Sequence, residues 1–441
     1  MDACLSRDHR EGPPPGLVLP PRFAPVLSIE GCGRAPPSRG LVRRLLAQCG
    51  ALAAEQSRAG LRPGAPPAGD RPLAAAVCGA AGGGAAAADA LRDTGWRLED
   101  GARAPAVRLQ WAEHPDVRWE RVMDGELAAN HYFARRALSR PGSAAQVYLA
   151  IASLLERAAA GEPLVGPWGG RAHPMPPTLP ASAAAAALDG PPGSLWRWFR
   201  RSGGAPWWRA PPPPQPGTGP SSGGGGPPTI APLHEALRLA AAAGGGSAVV
   251  QRHVPGPGGG APGAPPLVLR AHLLLVGACT GFLHGRLTVA EGSRATTEEA
   301  AQAVSLLAEG APARAAKTAH PAAHNVWRTA QAAASTLLSA VCEDARQAGL
   351  LALPNCFEVF DAAFAVDASF ACWLLGCTAA DDPPSWAVRD ALGTALPLIF
   401  GGAAATGSAP RDDEGPGFVQ VFRRGMGGLR DVKALLARSG Q

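Results

Sequence analysis

Lysine is nearly missing from this chain. Of 41 Lys and Arg residues only Lys317 and Lys433 are lysines, and two Tyr, four Met, four Ile and three Asn are spread over 441 positions. The scarce types share AT-rich codons, so a GC-rich gene explains the bias, and the Arg, Ala, Gly and Pro excess is not all design. With no lysine behind a Gly-rich loop, a phosphate-binding P-loop is excluded. Charged residues make up 17% of the chain and the net charge is +6, too little at this length to require an anionic partner. The nine Cys lack tight spacings and read as reduced thiols. The opening MDACLSRDHREGPPPG has no apolar run, so no secretory signal is expected there.

What is abundant is Gly and Pro, 56 and 46 residues, without the three-residue period of collagen. Wholesale disorder is not expected, because 46% of the chain is hydrophobic and 11 Trp are available for a core. The length suits two or three domains. Residues 1–22 read as a disordered Pro-rich terminus, 23–162 as an N-terminal helical region and 163–228 as a Pro/Gly/Trp-rich insertion. Residues 229–402 read as a C-terminal helical region, 403–416 as a linker and 417–441 as a basic amphipathic helix.

Helical spacing predicts elements over 119–138, 143–160, 230–243, 267–287 and 322–351. Thr296 with Glu299, and Asn355 with Glu358, have the form of capping boxes. The second would open a helix carrying Phe357, Phe360, Phe364, Phe370 and Trp373. A further helix starts after Asp382 at Pro383 and Pro384. Ala106–Trp111 alternates and could be a short strand. With β-formers scarce, the expected class is all-α: a multi-helix body with Pro/Gly insertions and at most one or two short strands.

No catalytic residue, cofactor site or metal site is expected. Gly219–Gly223 fits G-x-S-x-G but lies in the Pro/Gly linker. His320 and His324 share a helix face, but Pro321 and the missing acidic partner favour a helix N-terminus over zinc. Cys372 and Cys377 read as buried thiols. Ala391–Pro410 has 20 residues without a charge, but Pro397 and four Gly make it a core helix entering a loop rather than a membrane span.

Three segments could bind partners. In the first, Trp196, Trp198, Phe199, Trp207 and Trp208 interleave with Arg197, Arg200, Arg201 and Arg209. This suits core packing, a membrane or protein contact, or base stacking, with nucleic acid the least favoured. In the second, Phe418, Phe422 and other apolar residues form a stripe beside Arg423, Arg424, Arg430 and Lys433. A basic amphipathic helix of this kind reads as membrane-surface or partner-binding, or as a terminal helix packed on its own domain. The third is Arg171–Pro177, whose Arg171, Pro174 and Pro177 fit a polyproline ligand for SH3 domains.

One stretch goes beyond composition. Gly101–Phe133, with Asp124-Gly125 before His131-Tyr132-Phe133, and the helix that follows to Leu164, resemble the alphaherpesvirus tegument protein family of virion proteins 11 and 12. The resemblance implies a non-enzymatic virion structural protein of the tegument, found also in host cytoplasm and on inner membrane surfaces. Its partners would be the membrane surface, bound peripherally, and other tegument proteins including the virion transactivator of immediate-early genes, which it would modulate. The alternative it implies is a regulatory adaptor recruiting Src-family kinase and phosphoinositide 3-kinase signalling. Neither Tyr132 nor Tyr148 matches the tyrosine motifs of that family's tail, so of these segments only Arg171–Pro177 could substitute.

Overall fold

The chain is not all-α: three β-sheets organise it. The computed structural model describes residues 73–78, 83–100, 105–139, 144–159, 173–176, 178–180, 208–210, 229–242, 249–258, 266–277, 279–290, 293, 295–309, 320–343, 350, 353–380, 382–400 and 417–423. In chain order the elements are β1 (Ala74–Val77), α1 (Gly84–Asp93), β2 (Arg97–Leu98), β3 (Val107–Trp111), α2 (Trp119–Met123), β4 (Ala128–Ala129), α3 (Arg136–Ser139) and α4 (Ala144–Ala159). There follow β5 (Thr178–Pro180), β6 (Trp208–Ala210), β7 (Thr229–Ala231), α5 (Leu233–Ala242) and β8 (Val249–Arg252). The remainder is β9 (Leu267–Val276), β10 (Thr280–Val289), α6 (Glu298–Ala308), α7 (Pro321–Glu343), β11 (Phe357–Val366), β12 (Cys372–Ala379), α8 (Ser385–Phe400) and β13 (Phe418–Arg423).

The first sheet is parallel, in the order β2-β1-β3-β4. The second is a small antiparallel sheet, β5-β8-β6-β7, and the third a five-stranded antiparallel sheet, β12-β11-β9-β10-β13. The largest core lies on one face of the five-stranded sheet. There Leu269, Leu273, Phe360 and Phe364 meet the buried side of α7, with Val326, Ala330, Leu337 and Leu338. A second core puts α1 and α8 between the parallel sheet and the other end of the five-stranded sheet, through Leu91, Leu109, Val388, Leu392, Leu274 and Phe357.

Two expected helices are strands, for one physical reason. Leu267–Leu287 is an antiparallel hairpin, turned at Gly277 and Cys279, both with positive φ. The run Phe357 to Trp373 forms β11 and the start of β12. Much of each segment is buried on two faces, so its apolar run loses most of the alternation that marks a half-exposed strand and looks like buried helix. Burial, not β propensity, decides here. Gly281 lets β10 come close to α7: a Cβ there would collide with Leu338 Cδ1.

Other elements agree better. The helices at 144–159, 321–343 and 385–400 and the strand at 107–111 fall close to their expected positions. In α6 the cap is Thr297 rather than Thr296, its side chain accepting the Ala300 N–H at 3.1 Å. His320 does sit at a helix start, its Nδ1 accepting the Ala323 N–H at 3.3 Å. The expected helix over 119–138 splits into α2, β4 and α3.

Candidate functional site

On the face of the five-stranded sheet away from α7, polar side chains occupy a band between two apolar seats. Along β9 that face carries Val268, Arg270, His272 and Leu274; along β11 it carries Ala365, Ala363, Asp361 and Val359. Val268, Ala363 and Ala365, with Leu375 and Trp373, seat Val254 just beyond β8. Leu274 and Val359 lie under α8. Gln251 of β8 anchors the small sheet there, donating to the Leu375 carbonyl at 3.0 Å and to Thr178 Oγ1 at 3.0 Å. Between the seats, His272 and Asp361 stand opposite each other across the strands and Thr378 stands opposite Asp361.

The band is a linked set. His272 Nδ1 donates to Asp361 Oδ1 at 2.7 Å, and its ring meets Trp386 edge-on at 5.1 Å. Trp386, at the start of α8, also packs against His284 at 4.6 Å and lies under the Arg286 guanidinium at 5.2 Å, cation–π range. His284 is fully buried. Its Nδ1 accepts the Arg286 backbone N–H at 3.0 Å, so Nε2 carries the proton and donates to Asp390 at 2.9 Å. Burial pushes the His284 pKa down against the pull of Asp390, with His272 and Arg286 adding to the fall, so the ring is neutral at pH 7.

Two guanidinium groups of this band are unspent. Arg270 is exposed and makes no hydrogen bond or ion pair among the described residues. Arg286 Nε is buried without a partner. Unsatisfied guanidinium donors in a partly dry site are suited to oxyanions such as phosphate.

A second feature lies at the carboxyl ends of the parallel strands, where open α/β sheets bind ligands. A cavity of about 400 Å³ opens between the ends of β3 and β4 and the start of β11; Trp111, Glu113, Asn130, His131, Arg135 and Glu358 line it with others. Glu358 is 2% exposed and accepts from His131 Nδ1 at 2.8 Å, from the Tyr132 backbone N–H at 3.1 Å and from Arg135. Burial pushes this carboxyl upward, but His131, Arg135 and the Tyr132 N–H outweigh it and hold it below the usual range. The orientation of the His131 ring follows from a chain of donors. The Ala112 N–H donates to Asn130 Oδ1 at 3.1 Å, which turns Asn130 Nδ2, a donor, toward His131 Nε2 at 3.4 Å. Nδ1 carries the proton given to Glu358.

The segments singled out from sequence fare unevenly. Trp196, Arg197, Trp198, Phe199, Arg200, Arg201 and Trp207 lie outside the described residues, as do Arg171, Pro177, Arg424, Arg430 and Lys433. Trp208 and Arg209 belong to β6, paired with Ala231 and Ile230. Pro174 is buried and its carbonyl accepts the Leu374 N–H at 2.9 Å, so this part of the polyproline motif is spent on the fold. Phe418, Phe422 and Arg423 are not in a helix: they form β13 on the edge of the five-stranded sheet. Phe422 is 2% exposed, and Phe418 packs edge-on against His284 at 4.9 Å. Cys372 and Cys377 are buried, as expected, but on a strand. Among the described residues no helix is long and apolar enough to cross a membrane.

Sequence reasoning passed over His272, Asp361, Arg270, Glu358 and His131. Glu358 was legible only as half of a capping box and His131 only as part of the His131-Tyr132-Phe133 run, and the others stand in no motif. Their one signal, polar residues at alternate positions inside an apolar run, has meaning only once the run is known to be strand.

No protein-family profile matches the chain, and no curated protein matches it. Among solved structures, the chain is similar to the C-terminal domain of Pby1 from K. lactis, described as an ATP-grasp enzyme that interacts with the mRNA decapping enzyme Dcp2. The match has a TM-score of 0.53 at 14% identity and covers 79% of this chain and 98% of that one. At that identity the likeness is one of fold: this chain is similar to that domain in its arrangement of sheets and helices.

Proposed function

We propose that the chain binds a nucleotide triphosphate, of which ATP is the natural probe, over the polar band between the small sheet and α8. The observation that supports it is the coincidence of two things. The fold matches a domain described as an ATP-grasp enzyme over nearly its whole length. The band, lying between two docked elements, also presents the unspent guanidinium groups of Arg270 and Arg286.

The residues fit the phosphates better than the metal ion that often accompanies them. Among the described residues there is no group of three or more His, Cys, Asp or Glu that could hold a metal. On the cross-strand row itself Asp361 is the carboxylate, and it is engaged by His272; its other neighbour, Thr378, is uncharged. The reading is therefore one of nucleotide binding, and no phosphoryl or ligation step is assigned.

Titration calorimetry of the full chain with ATP tests it. Saturable binding is expected, and Arg270→Ala should weaken it about tenfold, the usual worth of one charge-assisted hydrogen bond. No binding of ATP or ADP, or binding indifferent to Arg270→Ala and Arg286→Ala, would overturn the reading.

A tegument role rests on the likeness of Gly101–Leu164. In the fold that stretch spends Tyr132 and Phe133 on the core, and the comparisons add no support to it.

A further inference from the structure

We infer that the free edge of β13 is a self-association surface. It pairs antiparallel with β13 of a second copy of this chain, joining the two five-stranded sheets into one. This rests on the backbone of that edge and is independent of the nucleotide reading.

The two edges of the sheet differ. At β12 the Leu374 N–H is taken by the Pro174 carbonyl at 2.9 Å, so that edge is partly covered. At β13 the pairing with β10 decides which groups are left over. The Gly285 N–H donates to the Gly417 carbonyl at 3.0 Å, so Gly417 turns its peptide groups toward β10. Along an antiparallel strand such groups alternate in direction, and the register runs unbroken through His284–Phe418, Leu283–Val419 and Phe282–Gln420. The N–H and C=O of Phe418 and Gln420 therefore point away from β10, and no strand among the described residues takes them. A bulge at Val421 ends the regular run. Before Arg423 the strand has no lysine, proline or charge, the residues that commonly blunt an edge.

The occupant follows from symmetry and charge. With Val419 on a twofold axis, Phe418 of each copy stands opposite Gln420 of the other, and every outward group meets an outward group. A shift of one step toward the start of the strand would set Gln420 opposite Pro416, which has no N–H; one step toward its end runs into the bulge. Val419, half-buried, meets its own copy across the axis as a β-branched pair. In the sequence Asp412, Asp413 and Glu414 precede the strand, and Arg423 and Arg424 end it. Antiparallel pairing brings the acidic start of one copy toward the basic end of the other, whereas parallel pairing would align like charges.

Analytical ultracentrifugation of the full chain over about a hundredfold range of concentration tests this. A reversible shift from one chain to two is expected, with hydrogen exchange at the Phe418 and Gln420 amides slowing as the concentration rises. Gln420→Pro removes an outward N–H while leaving those paired with β10, and should abolish the shift. Arg423→Glu, an exposed change that carries the test independently of the proline variant, should weaken self-association about tenfold. A chain that stays single at every concentration, or a dimer indifferent to Arg423→Glu, would overturn the inference. So would protection of the two amides in the single chain, which would assign the edge to another occupant.

Discussion

The side chain of Glu358 on β11 accepts the backbone N–H of Tyr132 at 3.1 Å, joining residues 226 positions apart in the sequence. That bond, with those from His131 and Arg135, fastens the parallel sheet to the five-stranded one. Removing the carboxylate strands the half-buried Arg135 cation and a buried N–H. Glu358→Ala should cost about 3–5 kcal/mol, as breaking a buried pair from one side does. Urea unfolding checks this; a loss below about 1 kcal/mol would show that the pair is dispensable.

Acid should weaken the fold in a definite window. Burial, with Arg135 and His131 adding to it, holds His114 down at about 4 from 6.5. Burial does the same to His173, to about 4, against the hydrogen bonds to the Tyr148 and Met175 carbonyls. Both rings are neutral when folded and take up protons when unfolded below 6.5, so their contribution is full above that pH and is lost as pH falls toward 4. Glu358, held low, adds a further loss below the usual carboxylate range. The urea midpoint should therefore fall between about pH 6.5 and 4, and His114→Gln should make the slope shallower. A midpoint flat across that range would contradict these environments.

Gly281 should not tolerate a methyl group. Its Cβ would land on Leu338 Cδ1, with Leu338 Cγ at 3.4 Å and Phe422 Cβ at 3.5 Å, and Leu338 is itself 1% exposed. Gly281→Ala should cost about 1–3 kcal/mol by overpacking between β10 and α7. A thermal melt reads it directly, and an unchanged melting temperature would mean that α7 sits farther from the sheet.

The thiols should separate by accessibility. Cys356 and Cys377 are buried and burial pushes both pKa values well up, so neither should react with iodoacetamide in the folded protein. Cys78, half-buried at the end of β1, should be labelled first among the described cysteines. Peptide mapping before and after urea distinguishes them; early labelling of Cys356 would argue against its burial beside Tyr132, whose hydroxyl donates to the Cys356 carbonyl at 3.2 Å.

The long helices α4 and α8 could be read from spacing because each buries one face and shows the other to water, whereas α7 kept its helical spacing of large apolar residues although its second half is buried all round. β9–β10 and β11 could not. Leu269, Leu273, Phe360 and Phe364 face α7, while Leu274, Phe357 and Val359 face α8, so at the α8 end both sides of each strand are apolar and the period-2 signal survives only around Arg270, His272 and Asp361. Phe418 and Phe422 misled in the same way: a stripe that fits a helix also fits an edge strand whose apolar residues pack on His284 and the core.

By itself the sequence determined that there was apolar residue enough for a core, that the thiols at 372 and 377 would be buried, and where the one-sided helices would run. Local composition fixes such things because they depend on neighbours three or four positions away. Tertiary structure alone decided that the chain is an α/β protein, and that His272 faces Asp361 and His131 faces Glu358. Those pairs span 89 and 227 positions. They exist because sheet pairing brings distant segments into register, and a register is set by burial on both faces, which no local window records.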